Sequence, residues 1–321
     1  MKHLRIIAAL LVLLPVLTFA NGNKDNQGDS YPSKPITLIV PSSAGGGTDT
    51  MARLFAEIAK DKIGQNFVIV NKSGAGGQIG FEAIAASKAD GYTIGCAFTP
   101  HIGAHIAAGR AKYTLDSFKP LSNYVTDPGV LVVNADSKFK TLDDVIAAEK
   151  AKSGSLTAAT TGPGGDDFFA LVSFNKAAGI NIKEVPSKGS SEEKANILGG
   201  HVDLAFMNYS QIEANYKAGD ARILAVMTPE RLPYDQDLPT FKELGYNVLS
   251  DSSRGFIAPA GIPDAAYEKL VAVFAEVVKD PKFLEAAKGQ LLLNYMGADD
   301  YSKYLNQVKD TAVSVFENNP W

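Results

Sequence analysis

Three glycine-rich loops carry the residues of this sequence whose types and spacing could do chemistry. Each loop follows a β-rich run and precedes a helical pattern, and the three read IVPSSAGGGTDT, IVNKSGAGGQIG and AATTGPGGDDFF. Glycine lets the backbone approach a ligand closely, and the free N–H groups of the following helix attract negative charge. The repeated context therefore predicts a site for a carboxylate or a phosphate.

Hydroxyl groups beside the loops extend this prediction, because a hydroxyl donates a hydrogen bond to an anion without adding a buried charge. These hydroxyls belong to Ser42, Ser43, Thr48, Ser73, Thr160 and Thr161. Thr48 and Asp49 also stand where a helix should begin, so capping of its first N–H groups is an alternative role. Capping and ligand contact are compatible, and both residues stay candidates.

Charged residues near the loops bear on the chemistry of the ligand. Arg254, in LSDSSRGFIAPAG, can clamp a second carboxylate, or it can form an ion pair at the surface or between domains. Asp166 and Asp167 begin the helix after the third loop. They favour the helix dipole and would repel a nearby anion, but they can instead hold a ligand ammonium group.

Catalytic, nucleotide and metal sites have little support. GAGGQIG lacks the G-x-G-x-x-G spacing, and the sequence contains no G-x-x-x-x-G-K-[ST] or G-x-S-x-G motif. His101 and His105 are four residues apart without a third ligand, which disfavours a metal site. His101 should follow a strand, so it stays a candidate ligand contact, whereas His201 is typical of a turn. We expect neither an enzyme nor a cofactor.

The first thirty residues are predicted to lie outside the folded domain. Residues 1–20 combine Lys2 and Arg5, an apolar run and small residues near Ala20, which is typical of a cleaved secretory signal peptide. Residues 21–30 are almost wholly polar and are predicted to form a flexible leader. No later run reaches the ~20 apolar residues of a membrane helix, so we expect a soluble mature protein.

Charge and cysteine content exclude further classes. Cleavage of the signal removes Lys2 and Arg5, so 29 of the 31 Lys and Arg residues remain against 35 Asp and Glu residues. The resulting net charge of −6 disfavours nucleic-acid binding. The single cysteine, Cys96, lies in the apolar run YTIGCAF. It predicts a buried thiol and excludes an internal disulfide.

Short apolar runs alternate with helical patterns, which predicts an α/β fold of parallel sheets flanked by helices. The strand runs are ITLIV, FVIV, YTIGCAF, GVLVV, SLTAAT, VDLAFM and RILAVM. Apolar stripes predict helices over residues 48–62 and 264–279, and a late helix is expected over 301–316. About 290 residues remain after the signal and the leader, which favours two domains.

Six ordered motifs resemble the Bug or TctC family of extracytoplasmic receptors for tripartite tricarboxylate transporters. The motifs are YPSKPITLIVP, GGGTD, VIVNKSGAGGQIG, ADGYTI, LGGHVDLAF and FIAPAGIP. The resemblance implies a type II periplasmic-binding-protein fold, with two α/β lobes and a ligand cleft between them. On the family pattern, residues 31–125 plus 228–321 form lobe 1 and residues 126–227 form lobe 2.

The resemblance also implies a function without catalysis. A monomer in the periplasm would capture a small carboxylate, with a di- or tricarboxylate favoured, and deliver it to the membrane subunits of the transporter. An amino dicarboxylate receptor and a ligand sensor for a signalling partner stay open as alternatives. The family's contacts to a ligand carboxylate carry over to Ser43, Ala44, Thr48, Gly76, Thr160 and Thr161.

This chain departs from common family members around the implied cleft. Met207 stands where many members have Asp, the Asp166–Asp167 pair stands where many have serines, and Ser253 and Arg254 replace an aromatic pair. Arg254 resembles a variant of the tricarboxylate-type branch. The predicted ligand-binding set is Ser43, Ala44, Thr48, Asp49, Gly76, His101, Thr160, Thr161, Asp166, Met207, Asn208 and Arg254.

Overall fold

The computed structural model describes residues 31–187, 189–288 and 292–321. The predicted signal peptide and leader, residues 1–30, lie outside the described residues. Strands and helices alternate along the described chain, as predicted. The strands are β1 (Ile36–Val40), β2 (Phe67–Asn71), β3 (Thr93–Phe98), β4 (Phe118–Asn134), β5 (Thr157–Thr160), β6 (Lys183–Pro186), β7 (Leu204–Asn208), β8 (Ala221–Val226), β9 (Asp251–Pro259) and β10 (Leu293–Gly297).

The helices include the three that apolar stripes and the C-terminal pattern predicted. They are α1 (Gly47–Ile63), α2 (Gln78–Ala85), α3 (His101–Ala107), α4 (Leu142–Ala151), α5 (Asp166–Ala178), α6 (Ser190–Leu198), α7 (Tyr209–Ala218), α8 (Asp264–Val277), α9 (Pro281–Ala287) and α10 (Ala298–Asn318). Within the described ranges, none of them combines the length and apolar character that a bilayer crossing requires.

The long strand β4 belongs to both lobes. Its first part, as far as Pro128, pairs with β9 in the order β2-β1-β3-β9-β4. From Gly129 onward it pairs with β7 and β8, and the order continues β4-β7-β5-β6. The chain therefore crosses between two α/β lobes at Asp127, Pro128 and Gly129.

Strand direction differs from the prediction near this crossing. Strand β1 runs parallel to β2 and β3, and β5 runs parallel to β6 and β7, as expected. The prediction of parallel sheets does not hold for β4 and β9, which run antiparallel to each other and to their other sheet partners. The reason is geometric, because β4 leaves lobe 1 along the path by which β9 re-enters it.

Each lobe has its own apolar core. In lobe 1 the predicted stripe of α1 is buried, and the Phe55 ring lies 4.5 Å from the rings of Phe256 and Phe274. Cys96 is a buried free thiol in the same core, which confirms that prediction.

The segment between β8 and β9 packs on lobe 2. It buries Leu232, Leu238, Phe241 and Val248 in the two cores of that lobe. The sequence-based boundary placed residues from 228 onward in lobe 1. The boundary stays a proposal, and this packing favours a return to lobe 1 at the start of β9.

A small apolar cluster joins the lobes beside the cleft. Ala104 of α3 and Ala312 of α10, from lobe 1, pack with Phe168 and Phe169 of α5, from lobe 2. The ring of Trp321 lies 5.7 Å from that of Phe168 and 5.3 Å from that of Phe169. Any opening of the lobes must therefore separate these aromatic rings.

Candidate ligand-binding cleft

A cavity of about 580 Å³ lies between the lobes. Lobe 1 lines it with the loops that follow β1, β2 and β3 and with the start of β9, and lobe 2 lines it with the loops that follow β5, β6 and β7. Ligand crevices of open α/β sheets lie outside the carboxyl ends of strands. The cavity occupies such a place in both lobes.

The cavity brings together most of the predicted ligand-binding residues. Its lining includes Ser43, Thr48, Gly76, His101, Thr161, Asp166, Asn208 and Arg254. Ala44, Asp49, Thr160 and Met207 are not part of this lining. The geometry thus separates residues that face the cavity from residues that lie beside or behind its wall.

Three of the residues outside the lining have structural partners. Asp49 accepts hydrogen bonds from the Gly45 N–H at 2.8 Å, from Arg53 Nε at 2.8 Å and from Asn71 Nδ2 at 2.9 Å, and so anchors the first glycine loop. Burial raises the pKa of Asp49, but these hydrogen bonds outweigh it and the pKa is lowered. The carboxylate therefore stays charged while it holds the loop.

Thr160 and Met207 face away from the cavity. Thr160 Oγ1 donates to Glu184 Oε1 at 2.6 Å and accepts from the Gly162 N–H at 3.1 Å, which shapes the third loop. Met207 is fully buried in an apolar core of lobe 2. Met207 therefore packs in that core rather than contacting the cavity.

The ligand-binding set omitted Ser42, Ser73 and Asp167, which the sequence analysis had discussed and which line the cavity, and it missed four further polar residues of the lining. They are Ser187, Ser190, Gln211 and Ser252. Ser187 and Ser190 belong to KEVPSKGSSEE, a strand, glycine loop and helix like the three predicted loops. Strand β6 is short and polar, so its apolar signal is too weak to reveal this context.

Several helices begin at the cavity. Thr48 lies in the first turn of α1, Asp166 in that of α5 and Ser190 in that of α6, while Asn208 caps α7. Each N-terminus carries unpaired N–H groups and a partial positive charge of about half an elementary charge. Together they produce a positive backbone field that suits an anion.

His101 and His105 support the second glycine loop. His105 Nε2 lies 3.0 Å from the Gly76 carbonyl oxygen. Gly76 has φ +59°, and a Cβ there would lie 3.2 Å from His101 Cδ2. Burial, followed by the nearby His105, lowers the pKa of His101 to about 4. His101 is therefore a neutral wall of the cavity at physiological pH.

Arg254 is the basic side chain that the described lining contributes, and it is 11% exposed. Its guanidinium lies over the start of α1, where a Cβ on Gly47 would be 3.2 Å from Arg254 Cζ. Arg254 Nη2 is 3.7 Å from Asp127 Oδ2, and no described residue accepts a hydrogen bond from the guanidinium. Both sequence-based readings, an interlobe ion pair and an anion clamp, are compatible with this position.

Acidic groups dominate the opposite wall. Asp166 Oδ2 accepts from Asn208 Nδ2 at 2.7 Å, and Asp167 Oδ2 accepts from Thr161 Oγ1 at 2.7 Å. Burial raises the pKa of Asp166, and the nearby Asp167 raises it further. Burial also raises the pKa of Asp167, to about 6. The pair resists carrying two negative charges at once.

A second groove, of about 730 Å³, lies elsewhere at the lobe junction. Most of its lining is apolar, with Leu232, Tyr234, Leu249, Leu284 and Leu293 among the residues. It lacks the helix N-termini of the interlobe cavity. For a small charged ligand, the cavity with the polar loops is the better candidate, because it offers hydrogen-bond donors and a positive backbone field.

Comparisons with known proteins identify the family and agree with the fold. The family described as "Tripartite tricarboxylate transporter family receptor", TctC, matches residues 51–317. Protein BugT of Bordetella pertussis is 35% identical over 221 residues, which cover 68% of each chain.

Solved structures are similar over almost the whole described chain. A TctC solute-binding protein from Polaromonas, solved without ligand, has a TM-score of 0.78 and 27% identity, and the match covers 90% of this chain and 99% of that one. Rpa4515 of R. palustris, solved with adipate, has a TM-score of 0.78 and 26% identity, with 89% and 97% covered. The predicted type II periplasmic-binding-protein fold is thereby confirmed, and the chain belongs to the TctC family of tripartite tricarboxylate transporter receptors.

Proposed function

We propose that this protein is a periplasmic receptor that closes on a small carboxylate and delivers it to the membrane subunits of a tripartite tricarboxylate transporter, without chemical turnover. The single observation that carries the proposal is Arg254. Its guanidinium is largely buried, lines the cavity over the N-terminus of α1 and has hydrogen-bond donors to spare. A desolvated guanidinium with free donors favours a carboxylate partner.

The volume of the cavity and the ligand of a related structure support a ligand with two or three carboxylates. A cavity of about 580 Å³ leaves room for a chain of several carbons. The related Rpa4515 was solved with adipate, a dicarboxylate. Thr48 and Ser43 border the same N-terminus and would donate to one carboxylate while Arg254 holds the other. We further propose that the receptor acts as a monomer.

A thermal-unfolding screen of the purified protein tests the ligand class. The probes are succinate, malate, adipate and citrate, with glucose as an uncharged control. A ligand at one hundred times its Kd should stabilise the folded state by about 2.7 kcal/mol. Stabilisation by a di- or tricarboxylate, and none by glucose, is the expected result. If none of the carboxylates stabilised the protein, the proposed ligand class would be wrong.

Delivery needs a separate measurement. Uptake of the stabilising carboxylate into proteoliposomes that contain the membrane subunits should require this protein. Uptake that is equal with and without it would favour the alternative of a ligand sensor.

A further inference from the structure

Asp127 is a buried acid beside the basic side chain of the cavity. It lies on β4, where the chain crosses between the lobes, and its side chain is fully buried. Its Oδ2 atom is 3.7 Å from Arg254 Nη2, on the neighbouring strand β9. Arg254 lines the cavity and Asp127 does not. Any effect of Asp127 on a ligand is therefore exerted without contact.

The hydrogen bonds of the Asp127 carboxylate come from lobe 2. The Ser210 N–H donates to Oδ1 at 3.1 Å, and the Ser210 hydroxyl donates to Oδ2. Ser210 lies in the first turn of α7, and the positive end of that helix stabilises a carboxylate. Burial raises the pKa of Asp127, while the charge of Arg254 and the bonds from Ser210 act against this rise. Asp127 therefore does not need Arg254 as a hydrogen-bond donor.

The contact between Asp127 and Arg254 is one of charge rather than of hydrogen bonding. The separation of 3.7 Å exceeds the ~3.2 Å reach of an ordinary N–H···O bond, so the guanidinium keeps its donors for a ligand. Without a directional bond, Asp127 does not fix the orientation of the guanidinium. Its negative charge nevertheless offsets the positive charge of Arg254, because neither group is well screened by water.

This counter-charge affects the empty cleft and the loaded cleft in opposite ways. A buried guanidinium without a partner is costly, so the ion pair stabilises the ligand-free protein. A ligand carboxylate that reaches Arg254 meets an ion pair instead of an isolated cation, and Asp127 repels it from a few ångströms further away. The attraction is therefore weaker than Arg254 alone would produce.

We infer that Asp127 is the counter-ion that limits the affinity of Arg254 for a ligand carboxylate and thereby sets how fast the ligand leaves. The inference rests on the proposed function, since it adds a residue that tunes the same site from outside the lining. A receptor that hands its ligand to a transporter has to release it. An ion pair in place of a lone guanidinium makes that release faster.

Calorimetric titration of Asp127→Asn with succinate, malate, adipate and citrate tests the inference. Asn keeps the volume and still accepts the Ser210 N–H, so the variant removes the charge. Each carboxylate that binds the unaltered protein should bind the variant roughly tenfold more tightly, the scale of one charge acting over several ångströms in a partly buried site. Stopped-flow measurements should assign the gain to slower dissociation.

Ser210→Ala gives a second test, with a milder change and the opposite sign. Asp127 Oδ2 loses its hydroxyl donor and becomes free to accept from Arg254, so the ion pair strengthens and ligand binding should weaken by roughly threefold. Ser210 does not line the cavity, so this loss is not that of a ligand contact. Ser210→Thr keeps the hydroxyl and should restore the affinity.

Asp251→Asn is the matched control. Asp251 is an acid of β9 that pairs with Pro128 at the same crossing, but its carboxylate accepts from Tyr304 and does not line the cavity. The variant makes the same change of charge beside the hinge and should gain much less affinity than Asp127→Asn. An equal gain in the two variants would overturn the inference, because net charge rather than the ion pair would then be the cause.

The remaining outcomes separate this inference from the proposed function. Unchanged or weaker binding by folded Asp127→Asn would overturn the inference and leave the carboxylate receptor standing. If Asp127→Asn did not fold, Ser210→Ala would decide, and unchanged or tighter binding by it would overturn the inference. Absence of binding of all four carboxylates to the unaltered protein would contradict the proposed function itself.

Discussion

Both walls of the cleft present helix N-termini to the cavity, but their charged side chains have opposite sign. On lobe 1, Ser43 of the loop before α1, Thr48 of α1 and Arg254 of β9 line the cavity, and the described lining of that lobe contains no acid. On lobe 2, α5 starts with Asp166 and Asp167, and its described lining contains no base. Both helices aim a positive N-terminus at the cavity.

The difference shows that helix N-termini and side chains contribute separately to the electrostatic character of each wall. The glycine loop and the helix bring N–H groups to the cavity on both walls, whatever the side chains are. On lobe 1 the wall remains positive, whereas on lobe 2 carboxyl groups occupy the first turn and reverse the local charge. One architecture therefore presents a basic side chain on one lobe and acidic side chains on the other.

The largest expected effect on ligand affinity comes from removing Arg254, which makes the lobe 1 wall basic. Arg254→Ala should weaken succinate binding by about 2 to 3 kcal/mol, a factor of roughly 30 to 150, because hydrogen bonds to a charged group are lost. Calorimetric titration measures the change. Arg254→Lys keeps the charge without the planar fork and should lose less affinity. If Arg254 served only as the ion pair of Asp127, the variant would lose stability while its affinity stayed the same.

The acidic wall should have its own signature in pH dependence. The pKa of Asp167 is about 6 in the folded protein against 3.8 for an unperturbed carboxyl, so the folded state binds more protons between these values. Stability should therefore fall as pH rises from about 4 to 6. Asp167→Asn should remove on the order of 2 kcal/mol of that fall.

Urea unfolding of the ligand-free protein between pH 4 and 7 measures this slope. The neighbours Asp166 and Glu193, whose pKa values burial raises, titrate in the same direction, so the variant should flatten the slope rather than reverse it. Asp143→Asn is the control, because Asp143 is an exposed first-turn acid of α4 in the same lobe, and it should retain the full slope. A slope that is equal in the Asp167 variant and the unaltered protein would contradict a proton shared within the acidic wall.

The smallest effect should come from a neutral donor of the basic wall. Thr48→Ala should weaken carboxylate binding by about 1 kcal/mol, because one uncharged hydrogen bond is lost at the N-terminus of α1. Thr48→Ser keeps the hydroxyl and should bind as tightly as the unaltered protein. Equal affinity of the Ala and Ser variants would remove Thr48 from the site.

Elements with a strong apolar period could be predicted from the sequence. The stripe that includes Met51 and Phe55 predicted α1 within one residue at each end, and ITLIV is β1. The first half of β4 gave no such signal, because FKPLSNYVTDP mixes prolines with polar residues. Pairing with β9 makes this segment a strand, and that is a tertiary effect.

The candidate site, too, could be predicted only in part from the sequence. Strand, loop and helix context placed Thr48, Gly76 and Thr161 on the cavity. Asp49 of α1 was predicted there too, but its partner Asn71 lies on β2, and only the fold brings the two together. Glu193 carried no signal at all, since SSEEKANIL has the composition of a solvent-facing helix. Its burial against lobe 2 appears only in three dimensions.

The contact of Trp321 with α5 has a spectroscopic consequence. Trp321 is the single tryptophan of the chain, and its indole ring packs against Phe168 and Phe169 across the lobe junction. Rotation of one lobe away from the other would expose that indole to water and shift its fluorescence to longer wavelength. The emission of the unlabelled protein therefore reports the angle between the lobes in real time.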